Sequence, residues 1–401
     1  MTVREISAPD KTLAWGLLAL VLTGLTVLAS ASHTAGEGLF TSLLNRQLGW
    51  IGIGCVAALI IWVLPMRLLE RGIIPFYTLS VLLLLLVLFI GRGPAGRWLV
   101  FLGVRFQPAE LAKAATLLML VRWLSRDQCF AFQFSGMAGA FFWVAVPGAL
   151  VAVEPDLGTS LVFVVIGVAV LFWRGLPGRW MLWPAWGLVS GAAGFQHILF
   201  LSFLMVTLTG AVVQKTRRRF WGVAFFVSLC CGLLGQAAWQ RLPVYQKLRV
   251  ESFLSSDVDP HGSSYQVIQS KIAIGSGKMM GKGFGRGTQT QLKFLPEHHT
   301  DFIFSAMGES FGLGGVTFIL MLWGGVLWRV VRLAERRDSL SERLMLFGLA
   351  ALWGFQVIVN IAMTVGWAPV TGLPLPFFSY GGSAMVINMA LSVYALKCTV
   401  R

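Results

Sequence analysis

Apolar residues along this chain come in long unbroken blocks, separated by short stretches where lysine, arginine, glycine and proline collect. A helix rises about 1.5 Å per residue, so a block of roughly twenty residues matches the ~30 Å hydrocarbon layer of a membrane. The pattern predicts spans at 13–31, 47–64, 73–91, 108–123, 137–153, 157–173, 220–239, 302–328, 345–366 and 382–397. Between 180 and 213 a further apolar stretch is interrupted by Gly187, Gly191, Gly194 and His197. Its length suits two short spans around a tight turn, with a re-entrant hairpin as the alternative. The expected fold is an all-α polytopic membrane protein forming a single integral membrane domain over 1–401. It has ten core transmembrane helices, an inserted hairpin at 180–213 that docks on the periphery (about twelve spans in total), and an outward-facing polar cavity.

Composition changes the picture in three ways. With 56% hydrophobic and 12% charged residues, against about 25% charged in soluble domains, no polar stretch can build a second core. "MTVREISAPDK" leads into a full-length span with no small-residue cleavage site, so the first segment is expected to be retained. The five cysteines contain no CxxC pair, which gives no basis for a disulfide framework or a zinc site.

Charge sets the orientation. Arg67 and Arg71, Arg122 and Arg126, Arg174 and Arg179, "KTRRR" at 215–219 and "RLAERRDSLSER" fall on one side, which is expected to be cytoplasmic with both termini. The opposite side carries a long polar loop, 240–301, holding Arg241, Lys247, Arg249, Lys271, Lys278, Lys282, Arg286 and Lys293. Either this face handles something anionic or the loop is solvated near lipid headgroups. The net charge of +15 is scattered between spans, so membrane lipids and phosphates are expected as partners and nucleic acid is not.

Polar groups cluster at the outer ends of the spans. In "QPAELAK", Glu110 and Lys113 share a helix face and should pair, either bracing the bundle or walling a substrate cavity. In "EPDLGTS", Asp156 can cap the next helix through Gly158 or Thr159. "LPLPFFSYGGSA" breaks the entry to the last span, where irregular backbone must be buried or line a cavity, and Ser379 there either bonds substrate or satisfies amides. "GSGKMMGKGFGRG" fails the G-x-x-x-x-G-K-[ST] test, so its glycines are read as allowing close backbone approach. Trp98 is either a headgroup anchor or a sugar-stacking ring. Asp301, in "FLPEHHTDFIFSAMGES", is either a helix cap or a base beside the cavity.

These blocks, "RFQPAELAK", "EPDLGTSLV", "FLPEHHTDFIFSAMGESFGLGG" and "PFFSYGGSAM", resemble the SEDS (shape, elongation, division and sporulation) proteins of bacteria. "YQVIQSKIAIGSGKMMGKGFGRGTQTQLKFLPEHHTDFIF" is closer to the elongation branch than to the division branch. The resemblance implies a peptidoglycan glycosyltransferase of the bacterial inner membrane that polymerises lipid II for cell elongation and shape. It also implies a class B penicillin-binding protein as partner, expected against the outer parts of 345–384 and the loop 240–301. It assigns the essential aspartate to Asp301. Where the family usually carries a second acid after Glu309, this chain has Ser310, and the apolar insertion at 180–213 is a further departure.

The implied reaction is an inverting transfer that releases undecaprenyl diphosphate and needs a base and a counter-charge. Asp301 is the base candidate. Lys271, Lys113 and Arg105 are candidates for the diphosphate, with Trp98, Glu110, Asp156, Gln269, His299 and Ser379 as further substrate-site residues. His299 is expected to brace the Asp301 region and His298 to be solvated. A divalent cation, magnesium or manganese, could share the neutralisation. A lipid II flippase is the rival function and a non-enzymatic scaffold a weaker one. The polar motifs cluster at one end, whereas a flippase needs a path through both.

Overall fold

In the computed structural model the described residues are 9–33, 42–92, 96–101, 104–126, 134–176, 186–187, 189–213, 218–254, 263–292 and 294–400. The helices are α1 (Lys11–Ser32), α2 (Ser42–Val63), α3 (Met66–Ile90), α4 (Pro108–Leu124), α5 (Phe134–Val153), α6 (Leu157–Trp173) and α7 (His197–Val213). They continue as α8 (Arg218–Arg241), α9 (Val244–Leu254), α10 (Ser263–Ser276), α11 (Thr288–Gln291), α12 (Ile303–Arg336), α13 (Leu340–Val365) and α14 (Gly382–Cys398). A small antiparallel hairpin, β1 (Leu99–Phe101) and β2 (Val104–Phe106), pairs Leu99 with Phe106. All ten expected spans fall on helices. Seven of the described helices are long and apolar enough to cross a membrane, and α6, α14 and His197–Gly210 are shorter apolar ones.

The chain divides into two compact units, Met1–Val170 with Arg249–Arg401, and Leu171–Leu248. In the smaller unit, residues 189–193 are helical, 194–196 turn, and α7 follows; residues 180–185 and 188 of the anticipated hairpin lie outside the described residues. Gly194 lies in the expected turn, and the glycines here also form a packing seam. A Cβ on Gly194 would stand 2.2 Å from the Gly232 carbonyl oxygen, and one on Gly235 would stand 2.1 Å from that of Gly191. Small residues of this kind let two backbones touch where lipid supplies no hydrophobic drive. Trp186 closes the seam, donating from Nε1 to Ser228 Oγ at 2.9 Å.

In the larger unit, the polar segment expected as a loop is largely helical, since α9, α10 and α11 lie within it. Its apolar positions are few but spaced to one face. Val267 and Ala273 of α10 pack with Leu295, Phe302 and Val370 in a common cluster. At the other end of the bundle, Asp10 caps α1 through the Leu13 amide at 2.8 Å and pairs with Arg329. There Lys397 of α14 donates to the last carbonyls of α2, those of Ile61 (2.9 Å) and Trp62 (2.8 Å).

Helix α12 is broken near its start. Gly312 has φ +64, a left-handed value that other residues rarely adopt, so the hydrogen-bond ladder lapses there. The glycine-rich loop at 277–287 repairs it. The amides of Leu313 and Gly314 donate to the carbonyls of Lys278 (2.8 Å) and Met279 (3.1 Å), and the amides of Lys282 and Gly283 donate to those of Glu309 and Ser310 (both 3.0 Å). Gly277 and Gly281 make the approach possible, because a Cβ on them would lie 1.9 and 2.3 Å from the carbonyl oxygens of Gly308 and Ser310.

Side chains lock the same joint. Glu309 is fully buried and accepts from Lys282 Nζ (2.7 Å), the Gln289 amide (2.9 Å) and the Thr290 amide (3.2 Å), so it caps α11 from inside the bundle. Ser310, standing where a second acid was looked for, bonds Ser30 Oγ at 3.0 Å, and Ser30 in turn accepts from the Gly285 amide. Gly281→Ala is expected to lower stability by about 1 kcal/mol or more, through its positive φ and the blocked approach. Gly275→Ala, in open space on α10, should be neutral or slightly stabilising. Thermal unfolding of the two purified variants checks the contrast.

Candidate active site

Asp301 sits in the turn just before α12, and its backbone is held from three sides. Buried Asn360 of α13 donates from Nδ2 to the carbonyls of Asp301 (2.9 Å) and Leu373 (2.8 Å). Ser379 Oγ donates to the Thr300 carbonyl at 2.6 Å while accepting from the Leu375 amide at 2.8 Å, and the Tyr380 amide donates to the His299 carbonyl at 2.8 Å. The broken entry to α14 is therefore stitched to the turn that carries Asp301. Ser379 is consumed by backbone groups, as one of its two readings anticipated.

The carboxylate itself is treated differently. No described group donates a hydrogen bond to it, and the N-cap of α12 is Phe302 without a side-chain cap. The cap reading of Asp301 therefore fails. Around the carboxylate, Gly372 (φ +75) leaves the space of a missing side chain: a Cβ there would lie 3.4 Å from Asp301 Oδ2 and 3.9 Å from Arg249 Nη1. Burial and the Glu297 carboxylate push Asp301 up to about 6, against the opposing pull of Arg249.

Arg249 was not singled out from sequence. It stands on α9 and lines a cavity of about 120 Å³ with Lys271, Ser252, Ser264, Gly366 and Val370. Lys271 is exposed and lies across Gly366, whose absent Cβ would stand 2.6 Å from Nζ. Two cations thus border one small cavity, and one of them, Arg249, also faces Asp301 across Gly372. The signal available in the sequence was only that both belong to the basic run that breaks the arginine rule.

Arg97 was missed as well. Its guanidinium grips the 154–156 turn, with Nε to the Glu154 carbonyl at 3.1 Å, Nη2 to the Pro155 carbonyl, and Nη1 to Asp156 Oδ2 at 3.4 Å. Asp156 also caps α6 through the Thr159 amide at 3.1 Å, as expected. Glu154 beside it is buried with neither carboxyl oxygen hydrogen-bonded, and burial followed by the Asp156 charge pushes it up to about 8. At Gly158 the start of α6 touches Thr371, bringing this turn against the segment that carries Gly372.

The remaining candidates separate. Glu110 and Lys113 pair at 2.8 Å with 4% and 2% exposure, a closed pair at the start of α4. The Gln107 amide beside them reaches Ser383 Oγ at 3.4 Å. Arg105 is exposed on β2, Trp98 bridges Arg92 through the backbone, and Gln269 is half-buried on α10. His299 is half-buried, and burial holds its imidazole below the ordinary value. The solvated position expected for His298 is corrected: it is half-buried, with Nδ1 at 2.8 Å from the Leu295 carbonyl oxygen. The four outer blocks therefore converge, with Asp301 at the junction. Asn360→Ala would leave two buried carbonyls unpaired and is expected to cost about 1–3 kcal/mol, read as a lower unfolding midpoint.

Known proteins share the sequence and fold of this chain. The family profile of the cell cycle proteins FtsW, RodA and SpoVE matches residues 11–221 and 196–398. The peptidoglycan glycosyltransferase MrdB of Escherichia coli K12 is 36% identical over 383 residues, covering 95% of this chain and 90% of that relative. MrdB of Helicobacter pylori is 33% identical over 356 residues, covering 86% and 80%. Among solved structures, a chain of a peptidoglycan synthase complex that coordinates polymerization and crosslinking superposes with a TM-score of 0.71 at 33% identity, over 97% of each chain. The rod shape determining protein RodA of Thermus thermophilus superposes with a TM-score of 0.63 at 29% identity, over 97% of this chain and 96% of that one. The chain belongs to the FtsW, RodA and SpoVE family of cell cycle proteins, and within it to the elongation-type, RodA-like branch.

Proposed function

We propose that this protein is a peptidoglycan glycosyltransferase of cell elongation that polymerises lipid II by inverting transfer and releases undecaprenyl diphosphate. The observation that carries the reading is a carboxylate whose turn is held by its backbone, which no described group hydrogen-bonds, and beside which the Arg249 guanidinium stands. An acceptor sugar hydroxyl must lose a proton as it attacks the anomeric carbon of the donor glycan. Asp301 takes that proton. Its raised proton affinity suits a base working near neutrality, and such a base contributes roughly 10²–10⁴-fold.

The diphosphate leaving group gains negative charge as the glycosidic bond breaks. Arg249, as a planar fork, and Lys271, as a mobile point charge, are the groups that neutralise it. Among the described residues no three of His, Cys, Asp and Glu stand together as a metal set. The site faces the extracytoplasmic side and the termini the cytoplasm, a sidedness supported by the arginines at the far helix ends. A class B penicillin-binding protein docks against the outer parts of 345–384 and the 240–301 segment. The rival flippase reading meets an obstruction. Trp323, Trp353 and Phe377, all buried, pack with ring centroids 5.6 to 6.3 Å apart in the middle of the bundle.

Two measurements test the proposal. Lipid II polymerisation by the purified protein with its partner should fall by about 10²-fold or more in Asp301→Asn, with assembly of the complex unchanged. Persistent polymerisation would remove Asp301 from the chemistry. The base works only when ionised, so the acid limb of the kcat/KM profile should turn near the value of about 6. Arg249→Ala withdraws a charge that favours the carboxylate and should shift that limb to higher pH. Glu297→Gln removes a repelling charge and should shift it lower. A limb indifferent to both substitutions would point to another titrating group.

A further inference from the structure

A cavity of about 250 Å³ lies at the end of the bundle opposite Asp301. There α3 and α13 begin and α4 and α14 end, and side chains from all four helices line it. Its chemistry is divided. Arg122, in the last turn of α4, and Arg126, two residues past its end, stand with Ser125 on one wall. Glu70 of α3 and Glu342 of α13 stand on others, with Tyr394 of α14 buried between them.

Several of these groups are poised for a guest. Arg122 spends one N–H on the Glu70 backbone carbonyl, and Arg126 is stacked over Trp123 at 4.6 Å, which fixes its guanidinium in place. Among the described residues, no hydrogen bond reaches the Glu70 carboxylate or the Tyr394 hydroxyl. Met66, Ile73, Leu118 and Met345 supply apolar wall between the charged groups. A ligand fitting this lining carries an anion and a hydrogen-bonding cation a few bonds apart, attached to an apolar body.

At a helix-bundle end lying at the membrane surface, basic pockets between spans take lipid headgroups. A lone anionic headgroup would meet two carboxylates here, whereas a headgroup bearing both phosphate and primary ammonium finds a partner for each charge. We propose that this cavity is a binding site for a zwitterionic phospholipid with a primary amine. Its phosphate sits on Arg122 and Arg126, and its ammonium sits between Glu70, Glu342 and the Tyr394 hydroxyl. The inference rests on the bundle spanning a membrane, not on the chemistry proposed for Asp301.

The test uses the purified full-length protein, stripped of lipid in detergent, with bound lipid counted by native mass spectrometry. Phosphatidylethanolamine should be retained about tenfold more strongly than phosphatidylglycerol, which lacks the amine, or phosphatidylcholine, which lacks its N–H donors. Arg126→Ala, at an exposed position that leaves the fold intact, and Glu342→Gln should each abolish that preference. Millimolar phosphoethanolamine should not displace the lipid. Equal retention of the three lipids, or a preference unchanged in both variants, would overturn the proposal. Displacement by phosphoethanolamine would also overturn it, in favour of a soluble ligand.

Discussion

Inside a bilayer, an unpaired backbone amide or carbonyl has no water to turn to, so any departure from continuous helix must be repaired by protein. The break at Gly312 is where this constraint shapes the molecule. A helix that stops and restarts leaves groups orphaned on both sides of the gap, and four hydrogen bonds from the 278–283 strand of loop satisfy them. Because the repair needs backbone against backbone, glycines occupy the contact points. Because the loop is then fixed, the short helix α11, the turn after it and Asp301 inherit a fixed origin. Buried Glu309 secures the same joint, and its charge is balanced by Lys282 and by the amides at the start of α11.

The polar ends follow a common economy in which each buried charge is matched locally. Glu110 meets Lys113, and Asp156 meets both Arg97 and a helix start. Glu154 lacks a partner and is held neutral by its surroundings near pH 7. Asp301 likewise accepts no hydrogen bond from the described residues, yet it keeps a neighbouring guanidinium and a value of about 6. That imbalance separates the proposed base from the structural pairs around it.

Much of this was legible in the residues. Hydropathy alone placed all ten core spans, because the bilayer imposes one length and one chemistry on each. The Glu110–Lys113 pair and the Asp156 cap were readable because both partners lie within one helical turn. Arg97 and Arg249 were not, since each acts on groups far away in sequence and a guanidinium gives no local clue to its target. The 240–301 segment was misread as loop because its helices bury a narrow face and so carry little periodic signal. The break at Gly194 was legible, but the seam that Gly194 and Gly235 form was not, since a seam and a break call for the same residue.

The tethers on Asp301 have one more consequence. Asn360, Ser379 and Tyr380 all hold the main chain of its turn, and none of them reads the charge on the carboxyl group. A base fixed by donors to its own oxygens would lose or rearrange those bonds each time it took up a proton. Here the protonated and ionised forms occupy the same place with the same scaffold. On the proposed role of Asp301 as base, the site passes through both halves of every addition cycle without reorganising, which suits an enzyme that adds sugar after sugar to one growing strand.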